Sequence, residues 1–281
     1  MHAPRISIVT ISYNQAQFLE KAIQSVLDQG YPDLEYIIID GGSTDASVDI
    51  IRKYEQHLAY WVSERDRGQS HALNKGLSSC TGQLMGWLNS DDFFLPGALE
   101  AFAEAWRRAP DAGAWVGDAN LVDAEGHVLK IQQPGKLDAE SLADWEVNGF
   151  QQPACLFSKA AWDLARPIDE SLYIAMDFDL WMKIVKTHSF ARVPRMLAGA
   201  TIHPTAKTQA YENLKYVEMW MVMMRHHHES VAKRKMLEAL DDAQVLRRKV
   251  DRLTQIRVYP LIRPLVKSFF KSNAPAKAVK V

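Results

Sequence analysis

Apolar residues recur along the first half of the chain in two alternating rhythms. Short dense runs read as buried strands: "RISIVTI" (5–11), "LEYIIID" (34–40), "LAYWVSE" (58–64) and "QLMGWLN" (83–89). They are rich in β-branched and aromatic residues, which suit a pleated surface. Between them run stretches with a period near 3.6. In "QAQFLEKAIQSVLDQ" (15–29), Phe18, Leu19, Ala22, Ile23, Val26 and Leu27 share one helical face, and Gly30 follows as a stop. "DASVDIIRKY" (45–54), "SHALNKGLSS" (70–79) and "PGALEAFAEAWRR" (96–108) predict further helices. Asp45 or Ser47 stands near the N-cap of the first, and Pro96 in the opening turn of the last. "GAWVGDANLVDAEGHVLK" (113–130) predicts a strand and then a hairpin about Glu125-Gly126.

From about residue 132 the alternation lapses. "QQPACLFSKAAW" (151–162) predicts a short strand and a helix start. "MDFDLWMKIVKTH" (176–188) predicts a helix burying Phe178, Trp181, Ile184 and Val185, and "FARVPRMLAGATIHP" (190–204) two short strands. Residues 207–254 read as largely helical and highly charged. The tail, 256–281, is basic and interleaves apolar residues with Arg263, Lys267 and Lys271. It reads equally as a segment lying on an anionic membrane surface or as a strap packed on the protein. Pro260 and Pro264 exclude one continuous helix there.

Regular strand–helix alternation implies an α/β fold with a mostly parallel central sheet flanked by helices. Ligands bind such sheets at the carboxyl ends of the strands. Polar groups gather at those ends: Ser12-Tyr13-Asn14, Asp40 through Asp45, Glu64 through Gly68, and Asn89 through Asp92. Any one of these is an ordinary loop. Four in succession point to a site.

Composition narrows the classes. With 281 residues, 47% hydrophobic and 24% charged, the chain can bury a sizeable core. A net charge of -1 offers no field for nucleic acid, so no nucleic-acid partner is expected. Two cysteines cannot build a disulfide framework or a four-cysteine zinc site, and they suit a reducing cytosol. The opening residues read as a strand rather than a signal peptide, and no apolar run is long enough for a transmembrane helix.

The Gly-rich turn "DGGSTD" is not GxGxxG, and GxxxxGK[ST] is absent, so neither familiar backbone cradle for phosphate is present. A diphosphate bound here would need another neutraliser. Asp91-Asp92, closing a strand, supplies the hard oxygen ligands that Mg²⁺ or Mn²⁺ takes. The alternative is a capped, solvated loop.

The ordered set "ISIVTISYNQAQFLEKAIQSVLDQ", "LEYIIIDGGSTDASVDII", "SERDRGQSHALNKGL", "GQLMGWLNSDD" and "YIAMDFDLWMKI" resembles a family 2 glycosyltransferase of the GT-A fold, across residues 5–205. The resemblance implies roles. Asp40 would read the base edge of a nucleotide, a use for which a carboxylate is a suitable acceptor. Ser12, Tyr13 and Asn14 would wall the nucleoside. Asp66 and Arg67 would contact the donor, the alternative for Arg67 being a surface pair with Glu64. Asp92 would coordinate a Mn²⁺ or Mg²⁺ ion bridging the donor diphosphate. Asp91 would meet the ribose or a sugar hydroxyl, or join the metal shell. Asp177 would be the general base, with Met176 where many members carry Glu. Gln152 would contact acceptor or sugar, His203 the metal or diphosphate. Asp179 would cap its helix or touch the acceptor.

The implied activity is inverting transfer from a UDP, dTDP or GDP sugar to a glycan or lipid-linked acceptor, as in surface polysaccharide assembly. A cytoplasmic location follows, with possible peripheral contact at the inner membrane through 256–281. A sugar-phosphate nucleotidyltransferase and a non-catalytic nucleotide-sugar-binding protein are the alternatives. The expected divisions are a nucleotide-sugar half (1–131), an acceptor and base half (132–205), a helical extension (206–255) and the tail (256–281).

Overall fold

The computed structural model describes residues 3–204 and 206–254; the tail at 256–281 lies outside them. Two compact units are present, one ending at His203 and the other beginning at Pro204.

The first unit is built on one nine-stranded sheet. Strand β1 (Ile6–Ser12) is buried at every position, as a strand covered on both faces must be. Helix α1 (Ala16–Leu27) buries Leu19, Ala22, Ile23 and Val26 and stops short of Gly30. Then follow β2 (Leu34–Asp40), α2 (Ser47–Lys53), β3 (Tyr60–Ser63), α3 (Gln69–Ser78), β4 (Leu84–Asn89), the two-residue β5 (Phe93–Phe94) and α4 (Ala98–Arg108). Pro96 and Gly97 precede α4 rather than opening it. The expected hairpin is β6 (Ala114–Val122) and β7 (Val128–Gln132). Short helices α5 (Ala139–Ala143) and α6 (Trp145–Asn148) lead to β8 (Cys155–Ser158), α7 (Lys159–Ala165), α8 (Met176–Val185) and β9 (Phe190–Thr201).

The strand order is β3-β2-β1-β4-β8-β6-β9-β5, with β7 on β6. β3, β2, β1 and β4 are mutually parallel. Past β4 the sheet becomes mixed, with β8 antiparallel to β4 and β6, and β9 parallel to β6. One long strand stands at 190–201 where two short ones were expected. Pro194 falls in a register shift between Val116↔Arg192 and Asp118↔Met196, where its missing N–H costs no ladder bond.

Ile6, Ile8, Ile38, Leu84, Leu88 and Trp115 pack with α1 and α4 in one core. Beneath the mixed half lies an aromatic cluster in which Trp87 stacks on Trp181 at 5.6 Å between ring centres. In the second unit, α9 (Lys207–Ala210), α10 (Glu212–Arg225) and α11 (Glu229–Thr254) supply the expected helices. No described helix is long and apolar enough to cross a membrane.

Candidate active site

Register puts the polar strand ends side by side. Ser12 stands opposite Asp40, Asp40 opposite Ser63, and Ile11 opposite Asn89. Four adjacent strand ends therefore form one rim about 14 Å wide at ordinary strand spacing.

The loops on this rim tie one another down. Asn14, in the left-handed region at φ 52, accepts from the Thr44 N–H through Oδ1 (2.8 Å). Its own N–H donates to Ser43 Oγ (2.8 Å). The first N–H groups of α1 find their caps in the next loop, Gln15 N–H on Ser47 Oγ and Ala16 N–H on Asp45 Oδ2 (3.0 Å). Ser12 is buried, with no hydrogen-bond partner at Oγ. Tyr13, 61% exposed, stands open to a ligand.

Asp40 has a different situation from a free reader of a base edge. It is 0% exposed. Its carboxylate accepts from the Gly42 N–H (3.1 Å), the Ser43 N–H (2.8 Å), Ser43 Oγ (2.5 Å) and Ser63 Oγ (2.6 Å). Four donors saturate two carboxylate oxygens. Asp40 thus shapes the Gly41-Gly42-Ser43 turn, in which Gly42 takes φ 81. Asp66 packs against Gly41 and accepts the Gly68 N–H (2.8 Å). Arg67 forks onto Glu170 at 3.0 and 3.1 Å rather than onto Glu64, which pairs with Lys75.

The two carboxylates after β4 differ sharply. Asp92 is buried, with Oδ1 accepting the Thr201 N–H (2.9 Å) and Oδ2 the Asn89 amide (3.1 Å). Burial, helped by the charge of Asp91, pushes its pKa well above the usual carboxylate range, against the pull of those two donors. Asp91 is the accessible one, its side chain 21% exposed against 4% for His203, whose Nε2 lies 3.1 Å from Asp91 Oδ2. The folding-back of β9 engages Asp92 and delivers His203 to Asp91. The imidazole also packs on Phe18, 4.8 Å between ring centres. A carboxylate oxygen and an imidazole nitrogen at this separation make a donor set that fits a divalent transition metal, Mn²⁺ better than Mg²⁺.

β9 can reach this place because Gly199 has no side chain: a Cβ there would sit 2.2 Å from the Phe93 ring. Three groups the motifs left without a role complete the rim. Asn89 accepts from Gln69 Nε2 (3.2 Å) and donates to Gln152 Oε1 (3.3 Å) as well as to Asp92. The Thr201 N–H is a backbone group with no sequence signal. Arg65 is exposed on the "ERDRG" turn, and no described acid pairs with it. Asn89, directly before Ser90-Asp91-Asp92, and Arg65, directly before Asp66-Arg67, were findable by adjacency.

Gln152 is buried and donates to the Trp87 carbonyl (2.7 Å), a contact that braces β4. Asp177 lies in the first turn of α8, half-buried, its Oδ1 accepting the Phe178 N–H (2.7 Å). Asp179 is 0% exposed and pairs with Lys183, one turn on along α8, at 2.9 Å.

Away from the rim, the turn of the β6–β7 hairpin gathers Asp123, Glu125 and His127 with ligand atoms within 4.8 Å. Asp123 accepts the His127 N–H (2.8 Å) and faces its ring (3.0 Å), contacts that close the turn. A surface hollow of about 530 Å³, lined by Leu137 to Ala139 and Val185 to Phe190, contains no rim residue.

The model of glycosyl transferase family 2 matches residues 7–160. The chondroitin synthase of Escherichia coli is 26% identical over 208 residues, covering 71% of this chain; the match spans only 29% of that longer protein. TarS 1–349 of S. aureus, solved in complex with UDP, superposes with a TM-score of 0.60 at 17% identity, over 79% of this chain and 65% of that one. The mannosyltransferase PcManGT of Pyrobaculum calidifontis, solved with GDP-Man and Mn²⁺, does so with 0.58 at 18%, over 93% and 83%. The mixed α/β sheet of these structures bears out the expected fold class. By the match over more than half its length, this chain belongs to glycosyl transferase family 2.

Proposed function

We propose that the chain is an inverting, metal-dependent glycosyltransferase. It moves a sugar from a nucleoside-diphosphate sugar to an acceptor hydroxyl, in the assembly of a surface polysaccharide or lipid-linked glycan. The observation that carries the reading is the Asp91–His203 pair at the rim where four parallel strands end. Family membership and the UDP and GDP-Man complexes of fold neighbours support a nucleotide-sugar donor. The similarity to a chondroitin synthase supports a glycan product.

In this reading Asp91 and His203 hold the cation, while Asp92 fixes the turn that presents Asp91. A divalent cation held there would supply Lewis-acid stabilisation of the charge on the departing diphosphate. Tyr13, Asn14 and the Asp40 turn wall the nucleoside. Arg65 and Arg67 offer charge to the phosphates. Asp177 takes the proton of the acceptor hydroxyl as it attacks the anomeric carbon from the face opposite the leaving group. A single displacement of this kind inverts the centre. Residues 1–131 then serve the donor and 132–205 the acceptor. Peripheral membrane contact through 256–281 would bring a lipid-linked acceptor near.

The test is a panel of UDP, dTDP and GDP sugars with Mn²⁺ or Mg²⁺, read by thermal shift and by coupled release of nucleoside diphosphate. A true donor stabilises the protein only when the cation is present. Asp91→Asn and His203→Ala lose that stabilisation. Asp177→Asn keeps it and loses transfer. Donor binding that survives chelation of the metal rejects the metal assignment, and turnover by Asp177→Asn rejects the base.

A further inference from the structure

Helix α11 is 26 residues long, about 39 Å at the rise of an α-helix. Every residue from Leu237 to Arg252 is exposed. A single helix of this length gains little stability in water by itself, and its helicity ordinarily comes from packing one face. That face is written in the sequence. Ala232, Met236, Ala239, Ala243, Leu246 and Val250 follow one another in strict steps of four and three. This is the spacing of the a and d positions of a coiled coil, with Met236, Ala243 and Val250 at a and Ala232, Ala239 and Leu246 at d. Ala232 is buried and Met236 half-buried, so the open part of the seam runs from Ala239: Leu246 is 63% and Val250 45% exposed, and Leu240 flanks it at 59%.

We propose that this seam pairs with the same seam of a second copy of the chain, in a parallel two-stranded coiled coil. Two features choose this occupant. First, an a/d repeat is self-complementary, and a β-branched residue at a with Leu at d, as in Val250 and Leu246, favours two parallel strands. Second, the flanking charges match in that orientation. Asp242 occupies a g position and Arg247 the following e position, so each Asp242 faces the Arg247 of the other copy, twice per dimer. An antiparallel pair centred on Ala243 would instead bring Asp242 towards its own copy. The small Ala239 and Ala243 make the interface close but thin, so the dimer should dissociate on dilution.

Sedimentation velocity of the full chain from about 1 to about 100 µM tests this by mass action. The wild type should pass from monomer to dimer over that range. Leu246→Lys should be monomeric throughout with an unchanged far-UV spectrum, whereas Val245→Lys, off the seam, should dimerise as the wild type does. Asp242→Arg and Arg247→Asp should each weaken the dimer about fivefold, the scale of two exposed ion pairs, and the double exchange should restore it. A monomer at every concentration overturns the proposal. So does equal loss of dimer in Val245→Lys, which would mean general stickiness. Failure of the double exchange overturns the parallel pairing. A monomer that partitions onto phosphatidylserine vesicles through Leu246 assigns the face to lipid. A full chain that stays monomeric while a chain ending at Thr254 dimerises assigns it to residues 255–281. Both of these last results reject a second copy.

Discussion

Asn89→Ala should loosen the rim without unfolding the protein. The Asn89 amide donates to the buried carboxylate of Asp92 (3.1 Å) and to Gln152 Oε1 (3.3 Å). A hydrogen bond to a charged group contributes about 1.5–3 kcal/mol, and a long neutral one about 0.5–1 kcal/mol. Asp92 can limit its loss by taking up a proton, because burial already lifts its pKa. The net cost is therefore about 2–3 kcal/mol, well within the about 5–15 kcal/mol that holds a domain together. For a unit of this size that lowers Tm by about 5–10 °C. Circular dichroism melts of the two proteins in EDTA measure it. The same substitution in an Asp92→Asn background should cost about half as much, since the bond lost is then neutral. A Tm within about 1 °C of wild type, or an equal cost in both backgrounds, would refute the view that Asn89 acts through the Asp92 carboxylate.

Gly199→Ala puts a Cβ 2.2 Å from the Phe93 ring, so β5 must shift; overpacking of this kind costs about 1–3 kcal/mol, and the donor KM should rise as the adjoining Asp91–Asp92 turn moves. Saturation kinetics and a melt check both effects, and unchanged values exclude the close approach as a constraint. Glu170→Gln releases Arg67 from its fork: an exposed pair contributes less than about 1 kcal/mol, so Tm should hold within about 3 °C while donor affinity rises if Arg67 meets the diphosphate. Cys80 and Cys155 are both buried, and burial pushes the Cys80 thiol up to about 12 and that of Cys155 well above its ordinary value. Neither should react with a thiol reagent at pH 8 until denaturant is added, and stoichiometric labelling of the native protein would contradict that burial.

Much of the fold was legible in local pattern. The strands β1, β2 and β4 and the helices α1, α3 and α4 lie within a residue or two of their expected bounds, because their apolar periods come from the face each must bury. The rim was legible too, since consecutive βα units place every strand's carboxyl end on one edge. What sequence could not settle was which groups are spent on one another. Asp40 and Asp91 look alike as carboxylates ending strands, yet one is saturated by three donors of its own turn and Ser63 of β3, and the other faces an imidazole 112 residues away. Asp92 was expected to be the metal ligand by motif alone. It is buried where Thr201, in a segment expected to form two short strands, comes back in register beside β6 and donates its N–H. Local sequence determines where a backbone can bend and which face is apolar. Only long-range pairing, here β9 on β6 and β5, decides which polar atoms are desolvated, satisfied or left facing a ligand.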